Sequence, residues 1–149
     1  MKKILGIVIA TLLTGSVMAQ DLVAMVKRDI NAERRSIVAE AMDLNAEKEA
    51  EFWQIYNEME KEFSILMDRR VSNISKFADN YDEITDDIAH ELAMTYLSIK
   101  GERLKIYKKY YKKMSKLIGK KEASRFMQLL DQIQLIIDLQ VAAEVPLIE

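Results

Sequence analysis

The sequence predicts an all-α fold, an elongated four-helix antiparallel hairpin or bundle with two long central helices. Three observations lead there. Glycine and proline number only four and one in 149 residues, and a β-rich domain of this size needs many more turn residues. Ala, Leu, Glu, Lys, Met and Gln, which favour helix, are abundant. Apolar residues recur at steps of three and four over long stretches, the period of one helix face.

The first helix is expected over about Leu22 to Met42, with a weak apolar stripe interrupted by the polar residues Asn31 to Ser36. Leu44-Asn45 then breaks the chain. Asn45 suits an N-cap, and Glu47, Glu49 and Glu51 place negative charge near the positive end of the helix dipole. The second helix, about Ala46 to Asn80, carries the strongest periodic signal: Phe52, Ile55/Tyr56, Met59, Phe63, Leu66/Met67, Val71, Ile74, Phe77/Ala78 and Tyr81. Tyr81 to Ile84 is the turn, and Thr85 caps a third helix running to about Ile118 with the stripe Ala89, Leu92/Ala93, Tyr96, Ile99, Ile106/Tyr107, Tyr110, Met114 and Leu117. Arg103 falls within that stripe, two residues after Gly101, which points to a kink or a polar seam. Gly119 is the stop. The fourth helix, about Lys121 to Ala143, has an apolar face broad enough to pack on two sides, and an apolar tail, Val145 to Ile148, follows it.

The first nineteen residues read as a secretory signal peptide. Lys2 and Lys3 precede the apolar run Ile4 to Val17, and Val17-Met18-Ala19 supplies a cleavage site before Gln20. The run is shorter than the roughly 20 apolar residues of a membrane span. The expected organisation is therefore a signal peptide over 1–19 and a single helical domain over 20–149, periplasmic and not membrane-spanning. Export leaves 20 basic against 24 acidic residues, a mild balance that implies no general polyanion partner. There are no cysteines, so packing alone must stabilise the domain, and no lipid-acceptor residue follows the cleavage point. An ATP-free compartment disfavours kinases, ATPases and nucleic-acid machinery. Catalysis has little foothold either, because there is no Cys, no phosphate-cradling Gly-rich loop and no serine–histidine arrangement. The expected protein is not an enzyme and needs no cofactor.

Lys100 to Lys121 holds ten basic residues against Glu102 alone. Lys105, Tyr107, Lys108, Lys109, Tyr110, Tyr111, Lys112, Lys113, Met114 and Lys116 form the candidate binding surface. Lysine stems cover apolar area while their heads attract acidic segments, and tyrosine offers rigid amphipathic contact area. The alternative is a solvated helix end that complements Glu58, Glu60, Glu62 and other acids of the second helix. The methionines after the signal are adaptable contacts or core fillers, and their places on the apolar stripes favour core. His90, the single histidine, lies near Asp86, Asp87 and Glu91; this is helix capping rather than a converging ligand set, so no metal is expected.

Leu44-Asn45-Ala46-Glu47-Lys48, followed by Ala50 and Phe52-Trp53, resembles the Leu-Thr-x-x-Gln motif that starts helices in the Spy/CpxP group of periplasmic stress proteins. Ile84-Thr85-Asp86-Asp87-Ile88 has a similar shape. The stretch from Lys120 through Ala123, Phe126 and Gln128 to Leu147 is similar to relatives grouped with that family. Asn45 stands at the motif's Thr, and Lys48 and Ile88 stand at its Gln. The resemblance implies an ATP-independent, cradle-shaped helical protein, often a dimer. Its partners would be unfolded or partly folded envelope proteins in the stress response. A regulatory adaptor of an envelope sensor kinase, acting on the kinase's periplasmic domain, is the alternative, and a metal sensor is the third reading. A homodimer through the broad fourth-helix face and the tail stays open.

Overall fold

The structure, a computed structural model, describes residues 32–148; the expected signal peptide and the first part of the expected first helix lie outside the described residues. The chain divides into two compact units, Met1–Ile37 and Val38–Glu149. Among the described residues the fold is all-α, with four α-helices and no strand. Helical residues 32–42 are α1, and residues 38–42 of it open the second unit. The remaining helices, α2 (Ala46–Asp79), α3 (Asp86–Leu117) and α4 (Lys120–Glu144), belong to that unit. None of the described helices is long and apolar enough to cross a membrane.

The caps explain the boundaries. Asp43 turns the chain with a positive φ of 34°, which Asp tolerates better than most residues. Asn45 Oδ1 then accepts from the Glu47 amide at 2.9 Å, satisfying a donor the first turn would leave unmade. α2 runs 34 residues, about 51 Å at the standard rise. At its end the Asn80 side chain donates to the Lys76 carbonyl at 2.7 Å. A 3-10 turn, Tyr81–Glu83, leads to Thr85, whose Oγ1 accepts from the Ile88 amide. α3 is unbroken for 32 residues, so Gly101 introduces no break in the helix; the polar seam is what Arg103 makes instead, as described below. Gly119, at φ 87° and ψ 159°, joins α3 to α4 in a conformation open to glycine.

α3 runs antiparallel to α2. Moving along α2 from Glu58 through Glu62 and Arg69 to Lys76 meets Lys113, Lys109, Glu102 and Glu91 of α3 in turn. α4 returns parallel to α2. Phe52 of α2 meets Phe126 of α4 with ring centres 5.2 Å apart, and Arg70 meets Asp138 further along. Phe52, Tyr56 and Met59, Tyr110 and Met114, and Ala123 and Phe126 are all essentially buried. Trp53 packs edge-on against Phe52 and Tyr56. Met42, Met59 and Met114 are core, whereas Met94 is exposed.

The expected stripes differ from what is observed at several positions, Ala78, Tyr81 and Ala93 being exposed. Tyr96, placed on the α3 core stripe by its spacing, is half-exposed. α4 packs through one face, Ala123, Phe126, Leu130, Ile133 and Ile137, while Leu135, Ile136 and Leu139 on its other side are exposed. Its broad apolar face has, among the described residues, one neighbouring surface rather than two.

Phe126→Ala should cost about 3–5 kcal/mol, the usual loss for a fully buried aromatic, measured as a fall in urea-unfolding free energy. Gly119→Ala should cost about 1–3 kcal/mol. An added methyl there meets open space, so the whole loss would be backbone strain.

Candidate functional site

The antiparallel register divides the ten residues expected to form one surface. Lys105, Lys108, Lys112 and Lys116 point to solvent. Lys109 and Lys113 turn toward α2 and pair with Glu62 and Glu58 respectively. Tyr110 is buried, and its hydroxyl donates to Glu62 Oε1 at 2.8 Å. Met114 is fully buried and offers nothing to a partner. Tyr107 is half-buried, edge-on to Phe63, and Tyr111 is half-buried as well. Both readings of the lysine run therefore apply to different residues: one set complements the acids of α2, and the other remains an outward cationic row.

The paired groups perturb one another as their chemistry requires. Hydrogen bonds from Lys109 and then Tyr110 hold the Glu62 carboxyl below the usual range, and Lys113 does the same for Glu58. Burial, and then the bond to the Glu62 carboxylate, push the Tyr110 hydroxyl well above its usual value.

The outer face of α3 holds residues that the stripe analysis passed over. Met94, Leu97 and Leu104 are 53%, 57% and 52% exposed. With Gly101 they repeat at steps of three, four and three, opposite the buried stripe of Leu92, Ile99, Ile106 and Tyr110. The same face continues into Lys105, Lys108 and Lys112, so it is apolar along its first half and cationic along its second. The spacing was a readable signal.

A second feature arises only from the packing. A cleft of about 740 Å³ opens where α2, α3 and α4 meet the tail. At its inner end Asp138 of α4 joins three helices: Oδ1 accepts from Arg70 at 2.5 Å and from Gln134 at 2.8 Å, and Oδ2 accepts from Arg103 at 3.4 Å. Burial pushes this carboxyl up, but the Gln134 and Arg70 donors and the nearby charge of both arginines more than offset that and hold it low. Lys100 also lines the cleft, its ammonium 4.9 Å from the Tyr96 ring centre. Toward the α2–α3 turn the walls are apolar: Ile74 and Phe77, Leu92 and Tyr96, Val141, and the tail from Val145 to Ile148.

His90 is exposed, and among the described residues no three His, Cys, Asp or Glu side chains converge as a metal site would need. Comparison of the chain with models of protein families, with curated proteins and with solved structures returns no match.

Asp138→Asn should lower stability by about 1–3 kcal/mol, because two arginines lose their charged acceptor. Acid should act in the same direction. Asp138, Glu58, Glu62 and Glu102 all have lowered folded-state values. Their contribution is complete above the ordinary carboxylate range near pH 4 and is lost as pH falls through the lower folded values. The urea midpoints of wild type and Asp138→Asn should differ at pH 7 and draw together as pH falls below about 4.

Proposed function

We propose that the protein is an ATP-independent holding protein of the periplasm that binds unfolded or partly folded envelope proteins through the outer face of α3. The observation that carries this reading is the row Met94, Leu97 and Leu104, half or more exposed on a helix whose opposite side already supplies the core. Large apolar side chains that the fold leaves outside mark interaction surfaces when they adjoin one another. Methionine adapts to varied partners, and the lysines that continue the row add long-range attraction for acidic segments. The resemblance of the helix starts at Asn45 and Thr85 to the Spy/CpxP group supports the same reading, as do the signal-like leader and the lack of cysteines.

The four outward lysines Lys105, Lys108, Lys112 and Lys116 favour a second reading, a regulatory adaptor whose cationic row meets an acidic sensor-kinase domain. A pull-down from envelope extract separates the two. One stoichiometric kinase supports the adaptor, and a broad mixture of proteins supports holding.

The protein should slow aggregation of two chemically unrelated unfolding clients without nucleotide. Leu97→Glu with Leu104→Glu should weaken that protection, removing roughly 1–2 kcal/mol of client contact for each leucine, while far-UV circular dichroism stays unchanged. Replacing the four outward lysines with glutamine should weaken capture at low salt and matter less above 0.1 M, where exposed charges are screened over about 10 Å. Failure of wild type to protect either client would overturn the holding reading.

A further inference from the structure

We propose that the cleft between α2, α3 and α4 binds a single-chain fatty acid, with its carboxylate at Arg103 and Arg70 and its acyl chain running toward Phe77 and the apolar tail. This does not rest on the holding reading, since the cleft and the outer face of α3 use different residues.

The distribution of polarity carries the inference. Following each helix from the Asp138 junction toward the α2–α3 turn, charge gives way to hydrocarbon. On α2 the order is Arg70, Ile74, Phe77, and on α3 it is Arg103, Lys100, Tyr96, Leu92. Among the described residues at the inner end two arginines face one carboxylate, leaving one positive charge in excess, and Lys100 lines the cleft further along, beside Tyr96. Arg103 has donors to spare. Among the described residues its hydrogen-bond partner is Asp138 alone, at 3.4 Å, while Arg70 holds the same carboxylate at 2.5 Å. A guanidinium with open N–H positions suits a second carboxylate.

The apolar end selects the rest of the ligand. Its α2 and α3 walls are helical, with backbone groups bonded internally, and the cleft-lining Asn73 side-chain N–H is bonded to the Leu92 carbonyl; among the described residues only the short tail Val145 to Ile148 brings non-helical backbone to the border. An extended peptide would bring an amide into this region at every residue, each needing a partner. An acyl chain brings none. The cleft volume of about 740 Å³ lies within the usual range of about 300–1,000 Å³ for small-molecule sites. Half-exposed Tyr96 and Ile148 and the largely exposed Leu147 border it, apolar surface that a bound chain would cover.

Calorimetric titration of the purified protein with monomeric straight-chain carboxylates, from octanoate to tetradecanoate, tests this. One saturable site is expected, tightening about fourfold per added methylene until the cleft is filled. Arg103→Gln should weaken dodecanoate at least tenfold and leave dodecanol unchanged. Ala142→Trp, which adds bulk at an exposed wall position, should abolish binding of both. Leu97→Glu with Leu104→Glu should alter neither, and thermal melts confirm that each variant is folded. No saturable binding at any chain length would overturn the proposal. So would dodecanoate binding that persists in Ala142→Trp, or equal affinity for acid and alcohol with no effect of Arg103→Gln. Displacement of dodecanoate by a short peptide with an aliphatic C-terminus, at lower concentration than by fatty acid itself, would also overturn it.

Discussion

The antiparallel register of α2 against α3 sets the position of every other feature in the second unit. Its ion pairs sit on the rim: Arg69 with Glu102, Lys76 with Glu91, and Lys109 and Lys113 with Glu62 and Glu58. Such exposed pairs contribute little energy individually. A slide of one helical turn would part Arg69 from Glu102 and shift Tyr110 and Met114 against Phe52, Met59 and Phe126, although Glu58 or Glu62 would then meet the other lysine of the pair. Burial supplies most of the stabilisation, and the charges discriminate among ways of achieving it. No disulfide contributes, because the sequence has no cysteine.

The unit has two unlike ends. Around Phe52, Tyr56 and Phe126 the rings meet with centres 5.2 to 6.4 Å apart, and three helices close on one another. Beyond the Asp138 junction they part. Two arginines from neighbouring helices converge on one carboxylate there, and burying those charges is tolerable only because each has a partner and some water contact. Past that point Ile74, Phe77, Leu92, Tyr96 and Val141 line an open cleft, and the tail from Val145 to Ile148 borders it.

Helix limits were legible because local chemistry sets them. Asn45 and Thr85 cap where their side chains allow, and Gly119 lies at a positive φ. The core stripes of α2 and α3 were legible from steps of three and four, and Arg103 was visible as an interruption. The second apolar row on α3 and on α4, on the side without a neighbour among the described residues, was not read. α3 carries both Leu92, Ile99 and Ile106 and the opposed Met94, Leu97 and Leu104, and α4 carries Ile133 and Ile137 beside exposed Leu135 and Leu139. Tyr96 was placed in the core because spacing could not show that it borders the open cleft. The lysine run could not be divided until the register turned Lys109 and Lys113 toward α2. The cleft was out of reach, since Arg70 and Arg103 meet Asp138 across separations of 68 and 35 residues.

The two faces of α3 lie half a helical turn apart, across a rod about 10–12 Å wide. Substitutions separated by more than about 7–10 Å act almost independently on stability. The buried face therefore answers to folding, and the outer face is largely released from it. Met94, Leu97, Leu104 and the adjoining lysines can change one residue at a time with little penalty in the fold. Selection on recognition and selection on stability would then leave separate records on a single helix.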